Sequence, residues 1–175
     1  MLFNVSGMIQ EGIGATREYD VEGALKAPDG EPEPVHGHVK LLRTKSGVLV
    51  TAHLSLSEPE VCSRCLKPLM EAVSVDFEEE FQATVDAQTG RPLDERPDQD
   101  AFLIDSNHIL DLTEAVRQYR EASLEIQPLC RRDCKGLCPR CGRDLNEGEC
   151  NCDSTVIDSR LAGLAALLEG ELSND

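Results

Sequence analysis

Between residues 48 and 56 apolar and polar positions alternate: Val48, Val50, Ala52, Leu54 and Leu56 share one parity, while Thr51, His53 and Ser55 share the other with Leu49. That period of two predicts a β-strand with one buried face. Val39 and Leu41 sit in a similar run upstream, and Thr44-Lys45-Ser46-Gly47 between the runs predicts a hairpin. The first 57 residues as a whole read as strands. A further strand is expected from Val73, Val75, Phe77, Phe81, Ala83 and Val85, with Glu79 on the same parity marking a bulge, an edge or the end of burial. Residues 29–34 read as an acidic loop whose two prolines oppose regular pairing. Residues 86–100, polar, acidic and proline-containing, read as a flexible loop without secondary structure.

The period then changes. A helix is predicted from Asp111 as N-cap, with Glu114 three residues on in a capping-box arrangement. Leu112, Val116, Tyr119 and Ser123 follow one face, flanked by Ala115, Ala122 and Ile126, and Pro128 ends the element. A last helix, capped by Asp158 or Ser159, carries Leu161, Leu164, Ala165 and Leu168 as its stripe. Both stripes read as core faces. The fold class is α+β: an antiparallel β-rich body of hairpins or a partial barrel, one or two packed helices, and a C-terminal cysteine-rich segment of zinc-ribbon type. The expected organisation is a body over 1–127 that includes the Cys62/Cys65 knuckle, a cysteine-rich segment over 128–153, and a helix and tail over 154–175, packed as one unit.

Composition changes the picture in two respects. With 40% hydrophobic residues and 13 glycines the chain has the apolar content of an ordinary globular domain. The N-terminus shows neither a basic n-region nor an apolar h-region, and no apolar run approaches the ~18–20 residues of a membrane helix. A reducing cytoplasm is therefore expected, where closely paired cysteines serve as metal ligands rather than disulfides.

The eight cysteines form four close pairs, Cys62/Cys65, Cys130/Cys134, Cys138/Cys141 and Cys150/Cys152. Two thiolates two to four residues apart hold one side of a tetrahedral zinc ion, so four pairs close at most two sites. Cys138-Pro-Arg-Cys141-Gly142 has the form of a knuckle, with Gly142 free to take a positive φ. Spacing favours one site from Cys138, Cys141, Cys150 and Cys152, and a second from Cys62, Cys65, Cys130 and Cys134. A site from Cys130, Cys134, Cys138 and Cys141, and a single site with the other thiols free, remain open. Sites with four thiolates are closed and structural, so one or two zinc ions are expected and no metal catalysis.

Other chemistry is thinly represented. His36 and His38 share a strand parity, and His53 and His108 complete the histidines. No phosphate loop, dinucleotide fingerprint, nucleophile elbow or H-E-x-x-H motif is present, and no enzyme is expected. A redox role for Cys62-Ser63-Arg64-Cys65 is a rival reading, but no thioredoxin-like βαβ pattern surrounds it. Net charge is −16, which favours basic partners. The charge is uneven: over residues 128–143, Arg131, Arg132, Lys135, Arg140 and Arg143 form a basic island opposed by Asp133 alone.

The run L-C-x3-C-x-G-L-C-P-x-C-G-x2-L-N-x4-C-x-C over residues 129–152 resembles the DUF177/YceD family. So do V-C-x-R-C-L-x-P at 61–68, the Phe-Glu-Glu-Glu-Phe that follows at 77–81, and the ending Asp-Ser-Arg-Leu-Ala-Gly-Leu-Ala-Ala-Leu-Leu over 158–168. The resemblance covers most of residues 39–168. In the family the last helix follows the final cysteine more directly, so residues 154–157 read as a short insertion. The resemblance implies a non-enzymatic factor for 23S ribosomal RNA accumulation, hence large-subunit assembly, in a bacterial cytoplasm. Implied partners are 23S rRNA or its precursor, a basic large-subunit ribosomal protein, or both, and no membrane.

The residues add a physical constraint. Aromatics make up 3% of the chain, too few for base stacking on the usual single-stranded RNA platforms. Phosphate contacts are expected instead from Arg131, Arg132, Lys135, Arg140 and Arg143, helped by Arg64 and Lys67. The acidic body suits a basic protein, which makes the whole a bipartite adaptor. Alternatives are a zinc-ribbon interaction or transcription-associated module, and a thiol redox switch.

Overall fold

The structure, a computed structural model, describes residues 1–26, 32–86, 89–93 and 100–152. The helix expected over 158–168 lies outside the described residues. The chain divides into two compact units, one of Met1–Val61 with Pro68–Pro128, the other of Cys62–Lys67 with Leu129–Asp175.

The first unit is a seven-stranded sheet with two helices. Its elements are β1 (Leu2–Asn4), α1 (Ser6–Gln10), β2 (Thr16–Lys26), β3 (Pro32–Arg43), β4 (Gly47–Val61), β5 (Pro68–Ala83), β6 (Phe102–Ile104), β7 (Ile109–Asp111) and α2 (Thr113–Ser123). The strand order is β1-β7-β6-β5-β4-β3-β2. Every neighbouring pair is antiparallel except β5 and β6, which run parallel, so the body is not the wholly antiparallel one expected. The sheet curls: Phe3 on one edge strand and Tyr19 on the other bring their ring centroids to 5.1 Å.

The alternation behind β3, β4 and β5 is realised up to Phe81, while Ala83 is half-buried at the end of β5 and Val85 lies beyond the strand. Val39 and Leu41 face inward with Val48, Val50, Ala52, Leu54 and Leu56, and with Val73, Val75, Phe77 and Phe81. The hairpin turn falls at 44–46, where the Thr44 amide donates to the Gly47 carbonyl at 3.1 Å. Three details depart from expectation. Glu79 does not interrupt β5: its register runs through Val50↔Glu79 to Val48↔Phe81 without a bulge, and the Glu79 carboxylate accepts a hydrogen bond from Tyr119 of α2. Pro32 and Pro34 lie inside β3, paired with Lys26 and Ala24, where β3 runs beyond its ladder with β4 and loses no amide bond on that side. Within the expected loop, residues 89–93 double back on residues 84–86 just after β5, through Asp86 N–H to Arg91 O at 2.8 Å and Leu93 N–H to Thr84 O at 3.0 Å.

The first 57 residues are not all strand, because α1 intervenes and buries Met8 and Ile9 in the core. Helix α2 begins at Thr113, whose amide donates to Asp111 Oδ1 at 2.9 Å. The capping box does not form, since Glu114 instead accepts from Arg117 and Gln118. The buried face of α2 is Ala115, Val116 and Arg120, with Leu112 just ahead of it and Tyr119 packed against the core. Ala122 and Ser123 are exposed, and Ile126 is 97% exposed, because the helix ends at Ser123 rather than reaching Pro128. No helix among the described residues is long and apolar enough to cross a membrane.

Curling needs close strand approach, and Gly37 in the middle of β3 supplies it. A Cβ there would lie 2.1 Å from the His53 carbonyl oxygen and 2.7 Å from the Leu54 Cα. Both are backbone atoms of the neighbouring strand and give way only by moving the ladder. Gly37→Ala is expected to cost about 1–3 kcal/mol through forced displacement of β4. Urea unfolding followed by circular dichroism checks this, and a midpoint equal to that of the parent would refute it.

Candidate metal centres

The second unit carries every cysteine. Its first part, Cys62–Lys67, is the turn that joins β4 to β5. The Leu66 amide donates to the Cys62 carbonyl and the Cys62 amide to the Lys67 carbonyl, both at 2.9 Å. The same pair of bonds recurs at the second knuckle: Gly142 N–H to Cys138 O at 2.9 Å and Cys138 N–H to Arg143 O at 2.8 Å. Gly142 takes φ 71°, as its place after the knuckle predicts. Leu66 occupies the equivalent place at φ 58°, an uncommon conformation for a residue with a Cβ. One loop design is thus used twice, once with glycine and once with leucine at the left-handed position.

These loops gather the sulfurs into two foursomes, Cys62, Cys65, Cys130 and Cys134 in one, and Cys138, Cys141, Cys150 and Cys152 in the other. Within each, the sulfurs lie within 4.8 Å of one another. This is the grouping that spacing favoured, and the foursome of Cys130, Cys134, Cys138 and Cys141 is not formed. Cys62 and Cys134 sulfurs are 3.9 Å apart, and those of Cys65 and Cys130 are 3.6 Å apart. Four sulfurs each ~2.3 Å from one tetrahedral zinc would be separated by about 3.8 Å. A disulfide would need about 2.05 Å, and all eight cysteines are free thiols. Each foursome therefore has the geometry to hold a metal ion.

The electrostatics point the same way. The backbone amides of Cys130 and Cys65 pull the Cys62 thiol down to about 6, and those of Cys141 and Arg140 do the same for Cys138. Cys152, by contrast, is pushed up to about 12, first by the Cys141 sulfur beside it. Each foursome thus draws at least one member toward thiolate, with Cys134 lowered beside Cys62 in the first, while Cys152 shows what crowding does to the others. A cation at the centre removes that conflict, since metal binding requires and stabilises deprotonated thiols. With four thiolates on one ion no coordination position is left for a substrate. The two sites differ in exposure: Cys62, Cys65 and Cys134 are buried, whereas Cys138 is the one buried member of the other four.

Residues that spacing alone does not single out support the sulfurs. Asn146 Nδ2 donates to the Cys134 sulfur at 3.4 Å and to Asp144 Oδ1 at 2.7 Å. Its Oδ1 accepts from Arg131 at 2.7 Å and from the Lys135 amide at 2.9 Å. Asp144 Oδ2 also pairs with Lys67 Nζ at 2.8 Å, and Glu147 with the same ammonium at 2.9 Å. The sequence signal for these roles is an Asx-rich stretch between two cysteine pairs, which reads first as a turn.

The basic residues divide by what they touch. Arg132, Lys135, Arg140 and Arg143 are exposed. Arg131 is half exposed, 3.6 Å from Asp133. Arg64 donates to the Cys134 carbonyl at 2.8 Å, and Lys67 is neutralised by its two carboxylates. The histidines belong to the first unit, and neither foursome includes one. His38 pairs with Asp20 at 3.2 Å and His53 with Asp76 at 2.7 Å on the outer sheet face.

A seven-stranded curled sheet and two four-cysteine clusters in one chain define a class of cysteine-clustered proteins. Within it, the family model described as large ribosomal RNA subunit accumulation protein YceD matches residues 50–168. The chain belongs to that family, and the matched span includes all eight cysteines. An uncharacterized protein of Mycobacterium bovis and one of Mycobacterium tuberculosis are each 34% identical over 125 residues, 71% of this chain. The matched region is 58% of the length of each of these relatives. An Arabidopsis thaliana protein, described as large ribosomal RNA subunit accumulation protein YCED homolog 1, chloroplastic, is 30% identical over 60 residues, 34% of this chain and 19% of its own. No solved structure matches the chain.

Proposed function

We propose that this chain is a non-enzymatic factor that supports 23S rRNA accumulation and large ribosomal subunit assembly in a bacterial cytoplasm, with structural zinc in both cysteine sites. Family membership across residues 50–168 carries the reading. Zinc rather than a harder cation follows from the donor set, since eight soft thiolates in two tetrahedral foursomes suit zinc and not magnesium or calcium. In this reading the ions fold the cysteine-rich segment and present its exterior.

That exterior meets RNA through phosphates. Arg131, Arg132, Lys135, Arg140 and Arg143 are the contact set, while Arg64 and Lys67 contribute less because their donors are already engaged. The acidic body receives a basic ribosomal protein. Glu18, Asp20 and Glu22 on β2, with Asp76 and Glu78 on β5, are exposed carboxylates of the first unit. Gel-shift titration against 23S fragments tests the RNA half. Reversing the five basic residues to glutamate is expected to weaken binding about equally across fragments. It should also flatten the salt dependence by ~0.7–0.9 in log–log slope for each phosphate that is no longer neutralised. An unchanged affinity and slope would sink this half.

A further inference from the structure

We infer that the two cysteine sites take up metal cooperatively, and that Asn146 is the positioning residue through which closure of the second site stabilises the first. The inference rests on the metal reading above. Asn146 belongs to residues 142–149, the loop between Cys141 and Cys150 of the second site, yet its side-chain amide donates to the Cys134 sulfur of the first at 3.4 Å. It is therefore an outer-shell ligand of one site held on a loop whose ends are fixed by the other.

Other bonds run the same way. The Leu137 amide, one residue before Cys138, donates to the Arg64 carbonyl in the first knuckle at 3.1 Å. Leu137 forms a bridge with Asp144, and the Leu145 amide donates to the Gly136 carbonyl at 2.9 Å. Lys67 of the first knuckle is clamped by Asp144 and Glu147 of the second site's loop. Gly136, at φ 74°, lets the strands close: a Cβ there would lie 3.0 Å from the Arg64 carbonyl oxygen. The segment 136–138 thus lies between the first knuckle and the returning loop, bonded to both.

A metal at Cys138, Cys141, Cys150 and Cys152 closes that loop and offsets in advance the entropy of placing Asn146, Asp144 and Glu147. Without it the first site must order them itself. Linkage makes the effect reciprocal, so a metal in the first site raises the affinity of the second by the same factor. Removal of outer-shell partners typically lowers metal affinity by ~10–100-fold, and the low end of that range is the expected size here.

Cobalt(II) titration of the reduced, metal-free full-length chain reads this directly, through thiolate charge-transfer and ligand-field absorbance, with chelator competition for affinity. In Cys150→Ser/Cys152→Ser the remaining site is expected to bind cobalt about 10-fold more weakly than in the parent. Asn146→Ala should weaken the same site to a similar degree. Added to Cys150→Ser/Cys152→Ser it should weaken it little further, and in Cys130→Ser/Cys134→Ser it should leave the second site unchanged. Two ions bound by the parent, with each site's affinity the same in the parent as in the variants that keep that site, would overturn the coupling and leave the metal reading standing. A parent chain that takes up neither cobalt nor zinc would overturn both.

Discussion

Stripping metal from the reduced protein with a strong chelator is expected to release two zinc ions and to unfold residues 129–152 while the sheet of the first unit stays folded. The hydrophobic cluster of buried residues draws on both helices and on β2 to β7, and takes no side chain from Cys62–Lys67 or from residues 129–152. Among the described residues of the second unit, the buried apolar side chains are those of Cys62, Cys65, Cys134 and Cys138. Leu129, Leu137 and Leu145 are not part of that cluster. A segment with so little apolar burial does not offset the ~1–2 kcal/mol per residue that ordering its backbone costs. Metal binding to such a site contributes on the order of 10–16 kcal/mol, and that free energy is then folding free energy. Amide hydrogen exchange with mass spectrometry, run beside metal analysis, separates the outcomes. Protection should vanish across 129–152 and persist in β3, β4 and β5. Protection that survives complete, verified metal loss would show that the segment folds by other means.

The same contrast explains what is legible in the sequence. Strands β3, β4 and β5 can be read there because one face of each is buried and a period of two survives in the residues. The cysteine foursomes are legible because ligand spacing is a local constraint: Cys138 with Cys141, and Cys150 with Cys152, sit at distances set by the knuckle. Short elements are not. Strands β1, β6 and β7 have three residues each, too few to establish a period. Helix α1 has five, and its burial of Met8 and Ile9 depends on where the curled sheet leaves room. Glu79 looks like a break in β5 because parity shows an acidic residue on a core face but not the tyrosine, 40 positions away, that meets it. Asn146 escapes for the same reason, since its sulfur partner lies in the other foursome. In each case the missing information is a long-range interaction that satisfies a polar group.

Arg120 is the strongest instance, and Arg120→Ala is expected to destabilise the first unit by about 3–5 kcal/mol. Its side chain is 5% exposed on the buried face of α2, where the helical period would place an apolar residue. Its guanidinium donates to Glu33 at 2.9 Å and lies 3.6 Å from Glu58, carboxylates from the inward faces of β3 and β4. Both glutamates are buried, Glu33 at 8% exposure and Glu58 at 7%. Truncating the arginine leaves two carboxylates of like charge inside the protein with their counter-ion gone. That loss exceeds the net value of the pairs themselves, because desolvation of the carboxylates is no longer offset. The sign reverses if all three charges go together. Replacing Arg120, Glu33 and Glu58 with methionine, methionine and leucine is expected to be neutral, or to stabilise by up to about 4 kcal/mol. Urea denaturation of both variants, followed by far-ultraviolet circular dichroism, decides the matter. If Arg120→Ala costs under about 1 kcal/mol, the buried triad does not hold the first unit together in this way.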